Sequence, residues 1–190
     1  MTRARKLVAV MACCVAASAV LVGHASAGKA FHERFIVEDS FEFENFCGVE
    51  GMGVLETWVA EVRVTAVPHG PDGLVYIGEH YKENGIFTNL ANGKTVTRVI
   101  TGNSKALKVT DNGDGTLTIL FLGTGNEVVY GADGKAIARN PCQSRFEVLI
   151  DHGGTPTDPS DDEFIGEPTL VKGSTGRTDD FCAVVVPALS

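Results

Sequence analysis

The stretch IDHGGTPTDPSDDEF, residues 150–164, sets five carboxylates and one histidine within fifteen positions. Asp151, Asp158, Asp161, Asp162 and Glu163 are hard oxygen donors of the kind calcium takes, and Gly153-Gly154 with two prolines could fold them toward one ion. The same residues also describe an extended, charged turn region that water satisfies without any ion, with Pro156 and Pro159 as turn formers. His152 has no nucleophile that the sequence can pair with it. The expectation is a long acidic surface loop over 151–163, with no metal and no cofactor.

Three other stretches imitate chemistry and fail on their surroundings. Asn92-Gly93-Lys94-Thr95 ends like a phosphate-binding loop, but Thr88 stands where the first glycine belongs, and strand-like runs flank it instead of a helix N-terminus. Gly102-Asn103-Ser104-Lys105-Ala106 imitates a nucleophile elbow, which must lead from a strand into a helix; LKVT follows. Asp111-Asn112-Gly113-Asp114-Gly115 lacks the alternating ligands and the closing Glu of a calcium loop. All three read as turns or strands.

The remaining candidates are aromatic. Tyr76 and His80 share one strand face with Gly78 between them. Were that face to line a barrel interior, the two would meet Trp58 around a cavity, with Gly78 leaving room for a small apolar ligand. The competing arrangement fills the interior with side chains.

The elements that would position these residues are strands. SFEFENF (40–46) alternates Phe with Glu, the period-two mark of a half-buried strand. From Val54 to Ala66 one face carries Val54, Trp58, Ala60, Val62, Val64 and Ala66, interrupted by Glu56. Leu74–Tyr81 follows a Pro/Gly turn, and Glu83-Asn84-Gly85 reads as the next turn. Residues 86–90 and 94–100 flank Asn92-Gly93, a tight-hairpin signal. Further turns are read at 111–115, 123–126 and 132–135, with strands at 145–150 and 181–186 and no convincing helix. Nine or ten short strands with frequent turns predict an all-β fold: an antiparallel, up-and-down, lipocalin-like barrel, with a β-sandwich as runner-up.

The N-terminus sets the compartment. Arg3, Arg5 and Lys6 precede an apolar stretch from Leu7 to about Gly23, and Ala25-Ser26-Ala27 fits a signal-peptidase site. The reading is a signal peptide over 1–27 and a single all-β domain over 28–190, secreted and either free or held at the cell envelope, without a membrane span after processing. An uncleaved anchor and a lipid anchor at Cys13 are the competing readings. Three of the 16 basic residues lie in the leader, so 13 remain against 24 acidic ones, a balance of −11. A domain so charged is repelled by phosphate backbones and anionic membranes, which excludes nucleic-acid binding.

Processing leaves Cys47, Cys142 and Cys182, and an oxidising compartment favours one pair. In an up-and-down barrel the last strand returns antiparallel beside the first, which brings Cys47, just past the 40–46 strand, to Cys182 at the entry of the 181–186 strand. The predicted bond is Cys47–Cys182, with Cys142 as the odd thiol.

Phe46-Cys47-Gly48, the LANGKTVT hairpin and Asp180-Phe181-Cys182-Ala183, together with the leader, resemble a group of secreted actinobacterial proteins. The likeness covers most of the mature chain. It implies a small exported β-barrel-like domain and carries over no catalytic residue. The functional expectation is a noncatalytic extracellular binding module for a small apolar ligand or an extracellular protein. Two alternatives stand beside it: an isomerase- or cyclase-type enzyme using Tyr76 and His80 as acid and base, and a structural envelope domain with a filled core.

Overall fold

The computed structural model describes residues 30–174 and 176–190; the leader read over 1–27 lies outside them. Seven strands form one all-antiparallel sheet in chain order: β1 (Phe31–Phe43), β2 (Val54–His69), β3 (Leu74–Asn89), β4 (Thr95–Asp111), β5 (Thr116–Tyr130), β6 (Ala136–Asp151) and β7 (Glu163–Lys172). Period-two patterning builds them. On β3, Ile77, Tyr81, Glu83, Phe87 and Asn89 are buried, while Lys82, Asn84 and Ile86 face out.

The sheet does not close, so the barrel expected from the sequence is wrong, and among the described residues there is no second sheet to make a sandwich. β1 pairs with β2 alone and β7 with β6 alone. The strand that was to close the barrel, 181–186, is instead the helix α1 (Phe181–Leu189). Its β-branched run AVVV suggested a strand, but Phe181, Val185 and Leu189 recur at every fourth position and fall on one helical stripe. Val185 and Leu189 are fully buried. The Asp180 carboxylate caps the helix by accepting from the Ala183 N–H at 3.1 Å.

The β3–β4 turn receives the other end of α1. Asn89 and Asn92 donate to the Leu189 carbonyl at 3.0 and 2.9 Å, and Lys94 Nζ donates to the Ser190 carbonyl. A cation beside carbonyls that no helical N–H satisfies is favourable there. The lysine that imitated a phosphate-loop residue therefore serves a helix C-terminus.

The strands are also fewer and longer than expected. Glu83-Asn84-Gly85 does not turn the chain but lies inside β3. A Cβ at Gly85 would meet Trp58 Cβ and Arg98 Nε at 3.7 Å, an ordinary contact, and Gly85 pairs with both Trp58 and Arg98, so the chain runs straight through it. Gly123 to Asn126, also read as a turn, lies within β5, and Asn140-Pro141-Cys142 is part of β6 despite its proline. β7 pairs with β6 only from Arg145 onward, so Pro141 sits where β6 is an edge on that side and its missing N–H breaks no ladder.

The predicted Cys47–Cys182 disulfide is present, with Cα atoms 5.6 Å apart, for a reason other than strand adjacency. It joins the first turn of α1 to a short 3-10 turn, Phe46–Gly48, between β1 and β2. Here Phe46, Met52, Val54, Phe87, Val96, Val129, Val185 and Leu189 form one cluster, with Phe181 edge-on to both Phe46 and Phe87. At the other end of the strands the core divides. One cluster holds Ala60, Val62, Val64, Ala66, Ile77, Tyr81 and Ile100. The other holds Val109, Leu117, Ile119, Phe146, Val148 and Ile150.

Candidate functional site

Between the apolar clusters the core face of the sheet carries charge. Arg98 on β4 meets Glu83 on β3, Nη2 to Oε1 at 2.6 Å. The same nitrogen lies 2.5 Å from Glu56 Oε1 on β2, close enough for ion pairing but without hydrogen-bond alignment. Glu127 on β5 stands 4.0 Å from Arg98 Nε. All four groups are largely buried, and the guanidinium lies over the Phe87 ring at 5.1 Å. Three carboxylates thus surround one guanidinium. Burial raises the Glu56 carboxyl above its ordinary value; Arg98 opposes this, and Glu83 and Glu127 add to it.

The network continues toward the helix. Asn140 donates to Glu127 Oε2 at 2.9 Å, and its carbonyl accepts from the Asp179 N–H at 2.6 Å. Asp179 in turn accepts from the Arg139 N–H and from Arg177 Nε. These bonds tie the segment leading into α1 onto β6. The arrangement fixes structure, although Glu56 Oε1 and Arg98 Nε are buried in it without a hydrogen-bond partner.

Further along the same face, Glu79 is directly opposite Ser104 on β4, itself buried. Burial alone pushes the Glu79 carboxyl up to about 7. Beside it the Tyr81 ring lies over Gly102, where a Cβ would come within 2.3 Å of the ring. One sign of this belt is visible in the sequence: Glu56 interrupts the apolar face of β2.

Of the residues singled out from the sequence, Trp58 is half-buried on the core face, packed beside Ala60 and Val62. Tyr76 packs against the Val109–Ile150 cluster, with its ring 5.0 Å from His69, and its hydroxyl accepts from the Val109 N–H at 3.4 Å. His80 is exposed, its Nδ1 2.9 Å from Asn103 Oδ1. Trp58 is in register with Gly85, and Arg63 with His80, so the structure does not bring the three together around a cavity.

The 150–164 stretch folds on itself. Asp151 accepts from Gly153 N–H, Asp158 from Ser160 N–H, and the Asp161 carboxylate from Thr155 Oγ1. His152 is buried, its Nδ1 accepting from the Gly154 N–H at 3.2 Å. Burial, with Asp161 and Asp158 nearby, pushes the Asp162 carboxyl up to about 6, against the pull of His152. Among the described residues no group of three or more His, Cys, Asp or Glu is arranged to hold a metal ion.

The outer face offers a different surface. A shallow groove of about 580 Å³ crosses β1 to β4, lined by Glu38, Asp39 and Ser40, by Thr57, Trp58 and Val59, by Asn84, Gly85 and Ile86, and by Thr97. Its floor is a cross-strand ladder: Ser40 faces Thr57, Thr57 faces Ile86, and Ile86 faces Thr97. Val59 and Ile86 are each 45% exposed. Hydroxyls alternate with aliphatic groups, and acids stand at the β1 side.

No known protein family matches this chain, and neither a curated protein nor a solved structure is similar to it. Its function is therefore argued from its own residues. Among the described residues no helix is long and apolar enough to cross a membrane.

Proposed function

We propose that this chain is an exported, noncatalytic binding domain that seats an extended segment of an extracellular or cell-envelope protein in the groove across β1 to β4. The observation that carries the reading is the groove itself, open along four strands, with aliphatic side chains left exposed beside hydroxyls and amides. Such a surface offers area and hydrogen bonding to an extended chain. Glu38 and Asp39 at its side, with the chain's net charge of −8, favour a partner segment carrying basic as well as apolar residues. The cationic leader and Ala25-Ser26-Ala27 support export, as does a disulfide stapling the fold.

A photo-crosslinking amino acid at Ile86 tests this against one at Gln143, exposed on β6. Incubated with cell envelopes of the producing organism, the groove position is expected to give a discrete protein adduct and position 143 none. Equal labelling from both positions, or none from the groove, would remove the reading.

A further inference from the structure

The two edges of the open sheet are built differently. β7 is a poor template: its pairing with β6 slips twice, Gly166 takes a positive φ of 70°, and Pro168 removes a donor. β1 is the reverse. It pairs with β2 over thirteen consecutive residues without a register shift, contains no proline, and has no strand on its other edge among the described residues. It also exposes Ile36 to 69% and Phe41 to 60%.

We propose that β1 pairs with β1 of a second copy, antiparallel about a two-fold axis at Ile36, joining two sheets into one. The proposal goes beyond the groove reading and does not depend on it. Only residues of one parity offer their N–H and C=O groups to the free edge, so a two-fold pair of identical strands must be centred on a residue and not between two. Centred on Ile36, the register sets Ile36 against its own copy, Arg34 against Glu38, Phe35 against Val37 and Phe31 against Phe41, each pair occurring twice except the central one. Opposite charges and apolar groups then meet across the strands, the arrangement that stabilises a ladder. Glu33 against Asp39 is the one like-charged pairing. Centring on Val37 instead sets Ile36 against Glu38 and Phe35 against Asp39, which discards these matches.

Arg34 can serve the second copy. Within the chain it bonds Glu61 at 2.7 Å, but Arg63 already reaches that carboxylate through two nitrogens at 3.0 and 2.8 Å.

Sedimentation equilibrium of the purified protein is expected to show a reversible dimer. Ile36→Lys, at an exposed site, should shift it to monomer and match the wild type's melting temperature only at concentrations low enough that the wild type is itself monomeric. Arg34→Glu and Glu38→Arg should each weaken the dimer by about tenfold or more, and the two together should restore it. Under oxidation, Ile36→Cys should give a covalent dimer, since facing Cα atoms in a ladder lie within disulfide reach, and His32→Cys should not. The proposal is overturned if the wild-type protein sediments as a monomer throughout, if 32 and 36 cross-link equally, or if the charge swap fails to rescue. A monomer whose β1 amides resist hydrogen exchange would assign that edge to another part of the same chain.

Discussion

The two faces of this sheet are made from the same strands and obey opposite rules. On the core face, side chains of β2 to β6 pack against one another: Arg98 sits among three carboxylates, Tyr81 covers Gly102, and α1 is stapled over Phe46 and Phe87. On the outer face, Thr57, Val59, Ile86 and Thr97 stand in ranks with nothing over them among the described residues. A group whose partners belong to its own chain supports the fold; a group left facing out is available to a partner. The difference separates stability from function along each strand, residue by residue.

Substitutions on the core face should therefore be costly, and the largest effect is expected at the staple. Cys47→Ser opens a loop spanning a sequence separation of 135 residues, which in the chain-entropy model removes about 5 kcal/mol. Urea unfolding under non-reducing conditions measures it. Next comes Arg98→Met, which leaves Glu56, Glu83 and Glu127 without their cation. A loss of about 3–5 kcal/mol is expected at neutral pH, shrinking in acid as the carboxyls take up protons.

Glu79 sharpens the comparison through pH. Its carboxyl is raised from 4.5 to about 7, so the stability tied to its neutral form is complete below about pH 4.5 and is lost as pH rises through 7. Glu79→Gln should match the wild type at pH 4 and exceed it at pH 8 by up to about 3 kcal/mol. Equal stabilities at pH 8 would mean that Glu79 is solvated. On the outer face the expected effect is smallest: Val59→Arg with Ile86→Arg should change stability by about 0.5 kcal/mol or less, since neither side chain is buried.

The contrast also explains what the sequence disclosed. Antiparallel pairing and the 92–93 hairpin were legible because alternation and turn chemistry are local; the Cys47–Cys182 pair was reached through a barrel closure that does not occur, and the bond instead joins a turn to α1. Three features were not. Glycines at 85, 123 and 125 look like turn residues in one dimension, but they lie inside β3 and β5, where pairing with the neighbouring strands keeps the chain extended. The run AVVV has strand propensity, and only the four-residue spacing of Phe181, Val185 and Leu189 revealed the helix that leaves the barrel open. The carboxylate belt was signalled by Glu56 alone, since Glu83, Glu127 and Arg98 meet it only once four strands are in register. The aromatic candidates Trp58, Tyr76 and His80 were placed together on the assumption of a closed barrel, and an open sheet separates them.

The central claim is that the outer groove, and not the core face, is the working surface. The direct test is binding of purified protein to cell envelopes of the producing organism, compared among the wild type, Val59→Arg/Ile86→Arg and Glu79→Gln, each checked for an intact fold by its unfolding transition. The account predicts that the groove variant loses binding while Glu79→Gln keeps it. Full binding by the groove variant, or loss of binding in Glu79→Gln, would contradict it.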